Sequence, residues 1–325
     1  MSPDSRIYVA GHRGLAGSAI ARRLRAKGYA NIVSRTHAEL DLTDAAAVRR
    51  FFAEERPQVV FLAAGKVGGI LANNTYPAEF IFQNLAIEAN VIDAAYRSGV
   101  KDLLFLGSSC IYPRDCPQPI KEEYILTGPL EPTNRPYAIA KISGIELCWS
   151  YNRQYGTRYF CAMPTNLYGP NDNYDLQTSH VLPALIRKFH EAKANGAKSV
   201  TLWGTGAARR EVLYSVDMAD GCIHLVQAAV VPAVQRRLFC EDRPPLVNVG
   251  YGEDLTITEL AERVRAAVGV DAQIVYDRSK PDGTPQKLLD IGLARSLGWS
   301  PRIALAEGLK AAYSDFLQKN LQSAR

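Results

Sequence analysis

Short apolar runs alternate with longer amphipathic segments along the first half of this 325-residue chain, and this alternation limits its possible folds most strongly. The runs "RIYVAG", "QVVFLAA" and "DLLFLGSS" have the length of buried strands. Between them, apolar residues recur every three or four positions, as on one face of a helix. Strands separated by helices run parallel, with right-handed crossovers that place helices on both faces of the sheet. The pattern therefore predicts an α/β fold with a Rossmann-like, doubly wound parallel sheet.

A glycine-rich turn, "VAGHRGLAG", joins the first predicted strand to the first predicted helix. Its three glycines allow the backbone to turn tightly and to approach a pyrophosphate, which the free N–H groups of a helix N-terminus can hold. A glycine triplet alone is a weak signal, but its place at the first strand-to-helix junction favours dinucleotide binding over a merely structural turn. The candidate cofactor-binding residues of the turn are Gly11, His12, Arg13, Gly14, Leu15, Ala16 and Gly17.

Positive charge around the end of the second predicted strand favours NADP over NAD. An acidic residue there binds the ribose hydroxyls of NAD, whereas a basic residue binds the 2′-phosphate of NADP. Arg35 ends this strand, Arg13 lies in the glycine turn, and His37 follows shortly afterwards. We therefore predict NADP(H) as the cofactor. Asp41 and Leu42 are expected near the adenine, unless Asp41 simply caps the next helix.

The sequence changes in character after Gly169, where polar stretches such as "PNDNYDLQTSH" and "GTGAARRE" surround a predicted helix. We assign residues 1–169 to an NADP-binding Rossmann domain, which the helix within 212–235 is expected to rejoin. A smaller C-terminal α/β lobe, expected to bind the substrate, comprises residues 170–211 and 236–325. Since no Gly/Ser-rich linker separates the two parts, we expect them to pack closely.

Composition and charge argue against several classes of protein. Apolar residues make up 47% of the chain and charged residues 22%, as in ordinary globular proteins. The formal net charge of +5 is too small to indicate nucleic acid, but it suits an anionic small molecule. Six cysteines without a Cys-x-x-Cys pair, and five histidines without ligand spacing, argue against a metal site. Without a signal peptide or an apolar stretch of about 20 residues, we expect a cytoplasmic protein with free thiols.

A tyrosine and a lysine four residues apart form the strongest catalytic signal. Tyr137 and Lys141, in "YAIAK", share one face of a predicted helix. The ammonium is therefore expected to lower the pKa of the phenol, which could then exchange a proton with a carbonyl oxygen. Ser108 ends the preceding predicted strand, where doubly wound sheets bind ligands, and its hydroxyl is placed to orient the same carbonyl.

Together the glycine turn, Ser108, Tyr137 and Lys141 resemble the extended branch of the short-chain dehydrogenase/reductase family, whose members modify nucleotide sugars. The strings "KVGGILANNTYPAEFI", "LGSSCIYP", "EPTNRPYAIAKISGIELC" and "KPDGTPQKLLD" are similar to those of its NADPH-dependent epimerase/reductases of GDP-4-keto-6-deoxy sugars. The similarity runs from about residue 6 to about residue 299. It implies inversion of the two carbons that flank a ketone, followed by reduction of that ketone. One departure is His37, where many members carry an arginine that contacts the 2′-phosphate.

The resemblance also implies roles for single residues. Cys110 and His180 match the base and the acid of the inversion, whereas Ser108 and Tyr137 hold the ketone and Lys141 assists. Without the resemblance, the thiol would be a packing residue and the histidine a helix cap or a satisfied polar residue. Four positions match substrate contacts, namely Lys188, Trp203, Arg210 and Asp282. Further matches to cofactor contacts are Leu106, Gly107, Ser109, Lys141, Pro164, Thr165, Asn166, Leu167 and His180.

Three alternatives are weighed against this interpretation. A sugar-nucleotide 4,6-dehydratase would carry a Thr-Asp-Glu type triplet after the serine, whereas this chain has Ser109-Cys110-Ile111, which also counts against a 4-epimerase. A non-catalytic NADP-binding protein would typically lack Tyr137 or Lys141. A sister epimerase/reductase acting on another GDP-keto sugar stays open, because few side chains contact the hydroxyls that differ.

A homodimer is the expected assembly. The long predicted helix over 77–97 and the helix that carries Tyr137 have more apolar surface than one face of a sheet can cover. The resemblance implies that these helices pair with those of a second copy, and such an isologous contact is the commonest oligomer form. The expected partners are therefore a GDP-sugar substrate and a second copy of the chain, with neither nucleic acid nor membrane.

Overall fold

The computed structural model describes residues 1–280 and 282–323. Within them the strands are, in chain order, β1 (Ile7–Ala10), β2 (Ile32–Val33), β3 (Val59–Leu62), β4 (Asp102–Leu106), β5 (Arg158–Pro164), β6 (Asn166–Tyr168), β7 (Ser199–Trp203), β8 (Arg209–Tyr214), β9 (Leu246–Val249), β10 (Asp254–Thr256), β11 (Gln273–Asp277) and β12 (Gln286–Lys287). The helices are α1 (Leu15–Ala26), α2 (Ala45–Glu55), α3 (Ile70–Thr75), α4 (Pro77–Arg97), α5 (Arg135–Tyr155), α6 (Val181–Asn195), α7 (Ser215–Ala228), α8 (Pro232–Leu238), α9 (Ile257–Val268), α10 (Gly292–Ser296) and α11 (Leu305–Ser323).

Six strands form the central sheet in the order β2-β1-β3-β4-β5-β9, and every neighbouring pair is parallel. The strand order reverses at β1, because β2 lies on one side of it and β3 and the later strands lie on the other. In a doubly wound sheet, ligands bind beyond the carboxyl ends of the strands at such a reversal. The Rossmann-like fold predicted from the sequence is confirmed, and the glycine turn after β1 lies at the expected binding edge.

Alternate residues of the central strands supply two separate cores. Ile7 and Val9 of β1 pack with α1 and α7, whereas Tyr8 and Ala10 belong to the core covered by α2, α4 and α5. All four residues are buried because helices cover both faces of the sheet. This double burial is the reason why the central strands are continuous apolar runs rather than alternating ones.

A smaller lobe carries two short sheets. β8 is the centre of one sheet, with β10 antiparallel to it and β6 and β12 parallel to it, and β7 pairs with β11 in the other. Helices α6, α9 and α11 share a core there, to which the buried side chains of Phe189, Val264 and Phe316 contribute.

Backbone hydrogen bonds join this lobe to the central one along residues 118–120 and 288–290, which we call the lobe seam. Ile120 N donates to Leu288 O at 2.7 Å, and Asp290 N donates to Ile120 O at 2.8 Å. The side-chain carbonyl of Gln118 accepts from Leu288 N at 2.8 Å. The seam fixes the position of Lys287, the residue that immediately precedes it.

Two segments differ from the sequence prediction. The run "RYFCAMPTNLYG" reads as one strand, but it forms β5 and β6, and β6 leaves the central sheet to pair with β8. β9 falls within the range 236–325 that we assign to the second lobe, yet it is the sixth strand of the central sheet. β9 has four residues and follows two prolines, so it is too short to show a strand pattern in the sequence. Its place in the sheet is fixed by its burial beside β5.

Helix α5 carries two of the predicted catalytic residues, and its sequence defines both of its ends. Asn134 is the N-cap, and the proline at position 136 lies in the first turn, where a missing N–H costs nothing. Gly156, at a φ of 66°, ends the helix in the left-handed conformation. Tyr137 and Lys141 therefore lie in the first two turns of α5.

Candidate active site

The glycine turn is shaped to admit an anionic ligand. Gly11 has a φ of +82°, and a Cβ there would lie 2.8 Å from the backbone of Ala63 and Ala64. A Cβ at Gly17 would collide with the carbonyl oxygen of Gly11, so α1 begins directly against the turn. Gly14 is the N-cap of α1 and has no side chain that could cap the helix. The N–H groups of the first turn are therefore available to a ligand. The turn therefore fits a dinucleotide pyrophosphate.

The other residues of the turn surround its opening. Arg13 is exposed, whereas His12, Leu15 and Ala16 are half-buried. Desolvation lowers the pKa of His12, and the neighbouring Arg13 charge lowers it further. The imidazole is therefore mostly neutral near pH 7 and adds little positive charge to the turn.

Arg35 is paired with a carboxylate that the sequence pattern does not reveal. Its guanidinium forms an ion pair with Glu55 of α2 and lies 5.5 Å from the centroid of the Phe51 ring. Hydrogen bonds from the backbone lower the pKa of Glu39, and the charges of Arg35 and Arg13 also lower it. Arg13 and Arg35, the two arginines predicted to select NADP, therefore both lie near the Glu39 carboxylate.

The segment after β2 is partly occupied by its own hydrogen bonds. His37 exposes 84% of its side chain, and its Nδ1 lies 3.9 Å from Asp41 Oδ1. Hydrogen bonds from the Thr43 backbone and hydroxyl lower the pKa of Asp41. Leu42 is buried. The N-cap of α2 is Asp44, so Asp41 does not have the capping role that the sequence left open.

Ser108, Tyr137 and Lys141 meet at the carboxyl end of β4. The Ser108 hydroxyl hydrogen-bonds to the Tyr137 side chain and accepts from Cys110 N at 3.3 Å. Lys141 Nζ donates to Leu106 O at 3.2 Å and lies 5.7 Å from the centroid of the Tyr137 ring. The structure thus brings together the three residues that the sequence separates by up to 33 positions.

Burial dominates the acidity of Tyr137. Desolvation raises the pKa of this phenol well above its usual value, Cys110 and Glu88 raise it further, and the hydrogen bond to Ser108 opposes the change. The expectation of a lowered pKa is wrong, because burial outweighs the nearby Lys141 ammonium, whose charge the Glu88 carboxylate at 3.3 Å only partly offsets. The phenol is held in its protonated form, which is the form a proton donor needs.

Two donors approach the sulfur of Cys110, a residue that is half-buried rather than part of the core. Asn134 Nδ2 lies 3.5 Å from Sγ, and Lys287 Nζ lies 3.7 Å from it. Both groups approach the sulfur as donors, and one of them is a cation. The sequence reasoning missed both donors. Their only signal is their presence in the strings "EPTN" and "PQKLLD".

His180 is the N-cap of α6, but its ring makes no capping hydrogen bond. The imidazole is exposed to solvent, and the surrounding protein still lowers its pKa by desolvation. The charge of Lys287 lowers this pKa further. One ammonium therefore acts on both Cys110 and His180, which places the two predicted epimerisation residues in the same part of the molecule.

The remaining predicted cofactor residues lie at or just after the carboxyl ends of β4 and β5, the last two of them in β6: Leu106, Gly107, Ser109, Pro164, Thr165, Asn166 and Leu167. Asn166 Nδ2 and the Thr165 hydroxyl both donate to Glu211 O, at 3.0 and 3.2 Å. The buried Glu211 carboxylate in turn accepts from the N–H groups of Gly252 and Leu289. These bonds fix the strand ends where β5 and β8 approach each other.

The four predicted substrate residues cluster in the smaller lobe. Trp203 is 61% exposed, and Lys188 Nζ lies 5.8 Å from its ring centroid. Asp282 accepts from the Thr205 N–H and hydroxyl at 2.7 and 2.8 Å, which lowers its pKa, and the Arg210 charge adds to this. An exposed aromatic face beside cations and a carboxylate fits a planar base that carries a diphosphate.

Among the described residues, no group of three or more His, Cys, Asp or Glu side chains is arranged to hold a metal ion. All six cysteines are free thiols. None of the helices in the described ranges is both long enough and apolar enough to cross a membrane.

Comparison with known proteins gives consistent matches. The model of the NAD dependent epimerase/dehydratase family matches residues 7–236. GDP-L-fucose synthase 1 of Arabidopsis thaliana is 54% identical over 315 residues, which are 97% of this chain and 94% of that protein. The GDP-L-fucose synthase of Escherichia coli (strain K12) is 53% identical over 316 residues, 96% of this chain and 97% of that protein. A solved GDP-D-glycero-L-gluco-heptose synthase from Campylobacter jejuni, in the presence of NADPH, has a TM-score of 0.90 at 37% identity and covers 98% of this chain and 99% of its own.

Proposed function

The chain belongs to the NAD dependent epimerase/dehydratase family, and we propose that it converts GDP-4-keto-6-deoxy-D-mannose to GDP-L-fucose with NADPH. Relatives more than half identical over nearly the whole chain are named for this product. The family resemblance seen in the sequence is confirmed. The enzyme is an NADP(H)-dependent epimerase/reductase of nucleotide-sugar biosynthesis.

The observation that carries this proposal is the meeting of two sets of catalytic groups. Ser108, Tyr137 and Lys141 serve the reduction of a ketone by NADPH, whereas Cys110 and His180 add a base and an acid. Cys110 lies beside the first set, since its N–H donates to the Ser108 hydroxyl at 3.3 Å, and the charge of Lys287 reaches both Cys110 and His180. A reductase alone has no need of the second set.

Inversion needs a base and an acid on opposite faces of the carbon that loses its proton. The Cys110 thiolate removes the proton from a carbon next to the ketone, and the electron pair moves onto the ketone oxygen. Hydrogen bonds from Ser108 and Tyr137 stabilise this enolate oxygen. His180, in its imidazolium form, then returns a proton to the opposite face of the carbon and becomes neutral, so the ketone re-forms with the configuration inverted.

Reduction uses groups of the larger lobe. NADPH, when bound at the glycine turn, supplies the hydride. Tyr137 donates its phenolic proton to the ketone oxygen while Ser108 holds that oxygen in place. The Lys141 ammonium, 5.7 Å from the Tyr137 ring centroid, stabilises the phenolate that remains.

The smaller lobe is proposed to bind the GDP part of the substrate. Trp203 offers a surface on which a base can stack, and Lys188 and Arg210 supply charge for the diphosphate. The cofactor is thus assigned to the larger lobe and the GDP part to the smaller one, as in the predicted domains, except that β9 belongs to the cofactor-binding part.

A panel of substrates tests the proposal. The purified chain is incubated with NADPH and, separately, with GDP-4-keto-6-deoxy-D-mannose, a 3,6-dideoxy analogue and a heptose analogue, and the products are identified. We expect the first substrate to have a kcat/KM at least about tenfold above the others, since a lost polar contact costs about that much. The similarity to a heptose synthase supports the second candidate, which a preference for the heptose derivative would establish.

We also propose that the chain forms a homodimer through α4 and α5. Phe82 of α4 is 68% exposed, and the buried Trp149 Nε1 of α5 has no hydrogen-bond partner among the described residues. A second copy packed on these helices would cover the exposed Phe82 ring. Sedimentation at micromolar concentration is expected to give a dimer, and Phe82→Glu is expected to give a monomer. A wild-type monomer would disprove this assembly.

A cytoplasmic location is proposed on the chemistry of the thiols. The base Cys110 must stay reduced, and the five other cysteines are free as well. Fractionation of cells that express a tagged chain should place it with the cytoplasmic marker. Recovery with a marker of an oxidising compartment would contradict this.

A further inference from the structure

A carboxylate is buried beside the catalytic lysine without any role assigned so far. Glu88, on α4, exposes 1% of its side chain, and Lys141, on α5, exposes 3%. Lys141 Nζ lies 3.3 Å from Glu88 Oε1. Neither carboxylate oxygen has a well-directed hydrogen bond within the described residues, so the ammonium is the group that compensates its charge. A buried carboxylate is costly without such a partner.

The packing around this pair leaves room for the carboxylate. Gly144 lies on α5, three residues after Lys141. A Cβ there would lie 2.8 Å from Glu88 Oε2 and 2.6 Å from the Phe105 ring. Any larger residue at this position would therefore displace the carboxylate or the ring. The absence of a side chain at position 144 is what admits Glu88 to this site.

Three contacts together fix the end of the Lys141 side chain. Nζ donates to Leu106 O at 3.2 Å, lies 4.5 Å from the Phe105 ring centroid, and pairs with Glu88. The Leu106 carbonyl and the Phe105 ring are neutral, so Glu88 supplies the charge among these contacts. An ammonium held on several sides has little freedom to leave the phenol that it serves.

We propose that Glu88 is a positioning residue for reduction, whose ionised carboxylate holds the Lys141 ammonium in the place where it supports Tyr137. This rests on the proposed function. Protonation of Glu88 would release the ammonium without removing any group that touches the substrate.

Burial places the ionisation of Glu88 in the neutral range. Desolvation raises the pKa of this carboxyl to about 7, and the Lys141 charge opposes the increase. The ionisable groups that face it are Lys141 and Tyr137 of α5 and Cys161 of β5, whose own pKa the Glu88 charge helps to raise. Below about pH 7 the carboxyl is neutral and the hold is lost, whereas above it the ion pair is complete.

Glu88→Gln tests the proposal, because it keeps the shape of the side chain and removes the charge. Single-turnover oxidation of deuterated NADPH isolates the reduction step, and proton exchange in heavy water reports the inversion. We expect the variant to match the wild type at pH 6 and to reduce the ketone about tenfold more slowly at pH 8.5, with inversion unchanged. Asp217→Asn is the matched control, since Asp217 is a buried carboxylate of α7 that bonds the N–H groups of Arg302 and Ile303.

Each other outcome identifies a different failure. Equal losses at all pH values, or equal losses of inversion and reduction, would make Glu88 merely structural and overturn the proposal. A wild-type chain that performs neither reaction would instead refute the proposed function. If Glu88→Gln does not fold, infrared spectroscopy decides on a chain that carries Asp172→Asn, because the pKa of the Asp172 carboxyl is also raised to about 7: a protonated carboxyl band that still disappears near pH 7, together with the rise in reduction rate, supports the proposal. A reduction rate that stays constant between pH 6 and pH 8.5 overturns it.

Discussion

Replacing Glu88 by glutamine is expected to remove one pH-dependent contribution to the stability of the folded chain. The pKa of this carboxyl is about 7 in the folded chain, against an ordinary value of 4.5. The folded chain therefore binds the proton more tightly than the unfolded chain does. As a result, the contribution of Glu88 to the free energy of unfolding falls as the pH rises from 4.5 to about 7. At about 1.4 kcal/mol per pH unit, the total loss is about 3 kcal/mol.

Urea denaturation at pH 5 and at pH 8, followed by tryptophan fluorescence, measures this effect. Glutamine has no such ionisation, so the difference in unfolding free energy between Glu88→Gln and wild type should move by about 2 to 3 kcal/mol in favour of the variant between the two pH values. Asp217→Asn serves as a second comparison at each pH. If the Glu88→Gln and wild-type values differ by the same amount at pH 5 and pH 8, the reasoning about this carboxyl is refuted.

Four further predictions concern the cofactor and the catalytic groups. NADPH should bind more tightly than NADH in fluorescence titrations, and Arg13→Ser should reduce the difference; equal wild-type affinities would show that the basic residues do not reach the 2′-phosphate. Tyr137→Phe should lower the reduction rate by about 10² to 10⁴ while NADPH affinity stays nearly constant, and a variant with more than about a tenth of wild-type turnover would assign the proton to another donor. Cys110→Ser should lose proton exchange with heavy water at both carbons beside the ketone yet still reduce it to an uninverted sugar, because a hydroxyl is far harder to ionise than a thiol; normal exchange would return this thiol to a packing role. Lys287→Met should slow both this exchange and iodoacetamide alkylation of Cys110 by about tenfold at pH 7, and unchanged alkylation would separate the ammonium from the thiol.

The parts of the fold that the sequence predicts are those with local causes. Strands such as β1 and β3 are buried on both faces, so each is a continuous apolar run that stands out from the helices around it. The glycine turn is equally local, because Gly11 and Gly17 lie within a few residues of the backbone groups that exclude a side chain there. In contrast, β9 has only four residues, and its neighbour β5 lies far away in sequence.

Groups that act on the site from a distance could not be predicted. Lys287 is 177 positions beyond Cys110, and Glu88 is 53 positions before Lys141. Glu55 reaches Arg35 only because α2 packs beside the end of β2. Each of these contacts depends on how whole helices and strands pack. It therefore cannot be predicted from residue types or from their spacing in the sequence. The pKa of Tyr137 differs from the prediction for the same reason, since the sequence does not show how deeply the phenol is buried or that Glu88 partly offsets Lys141.

The lobe seam has a consequence for how the two half-reactions can diverge during evolution. Ser108, Tyr137 and Lys141 all belong to the central lobe, whereas the ammonium beside Cys110 comes from β12 of the smaller lobe and is fixed by the hydrogen bonds of residues 288–290. A change confined to that strand or to the seam withdraws the charge from the thiol and leaves the reductase groups in place. A lineage could therefore give up inversion through one local substitution while it continues to reduce ketones, so that a single-purpose reductase is a near neighbour of this bifunctional chain in sequence space.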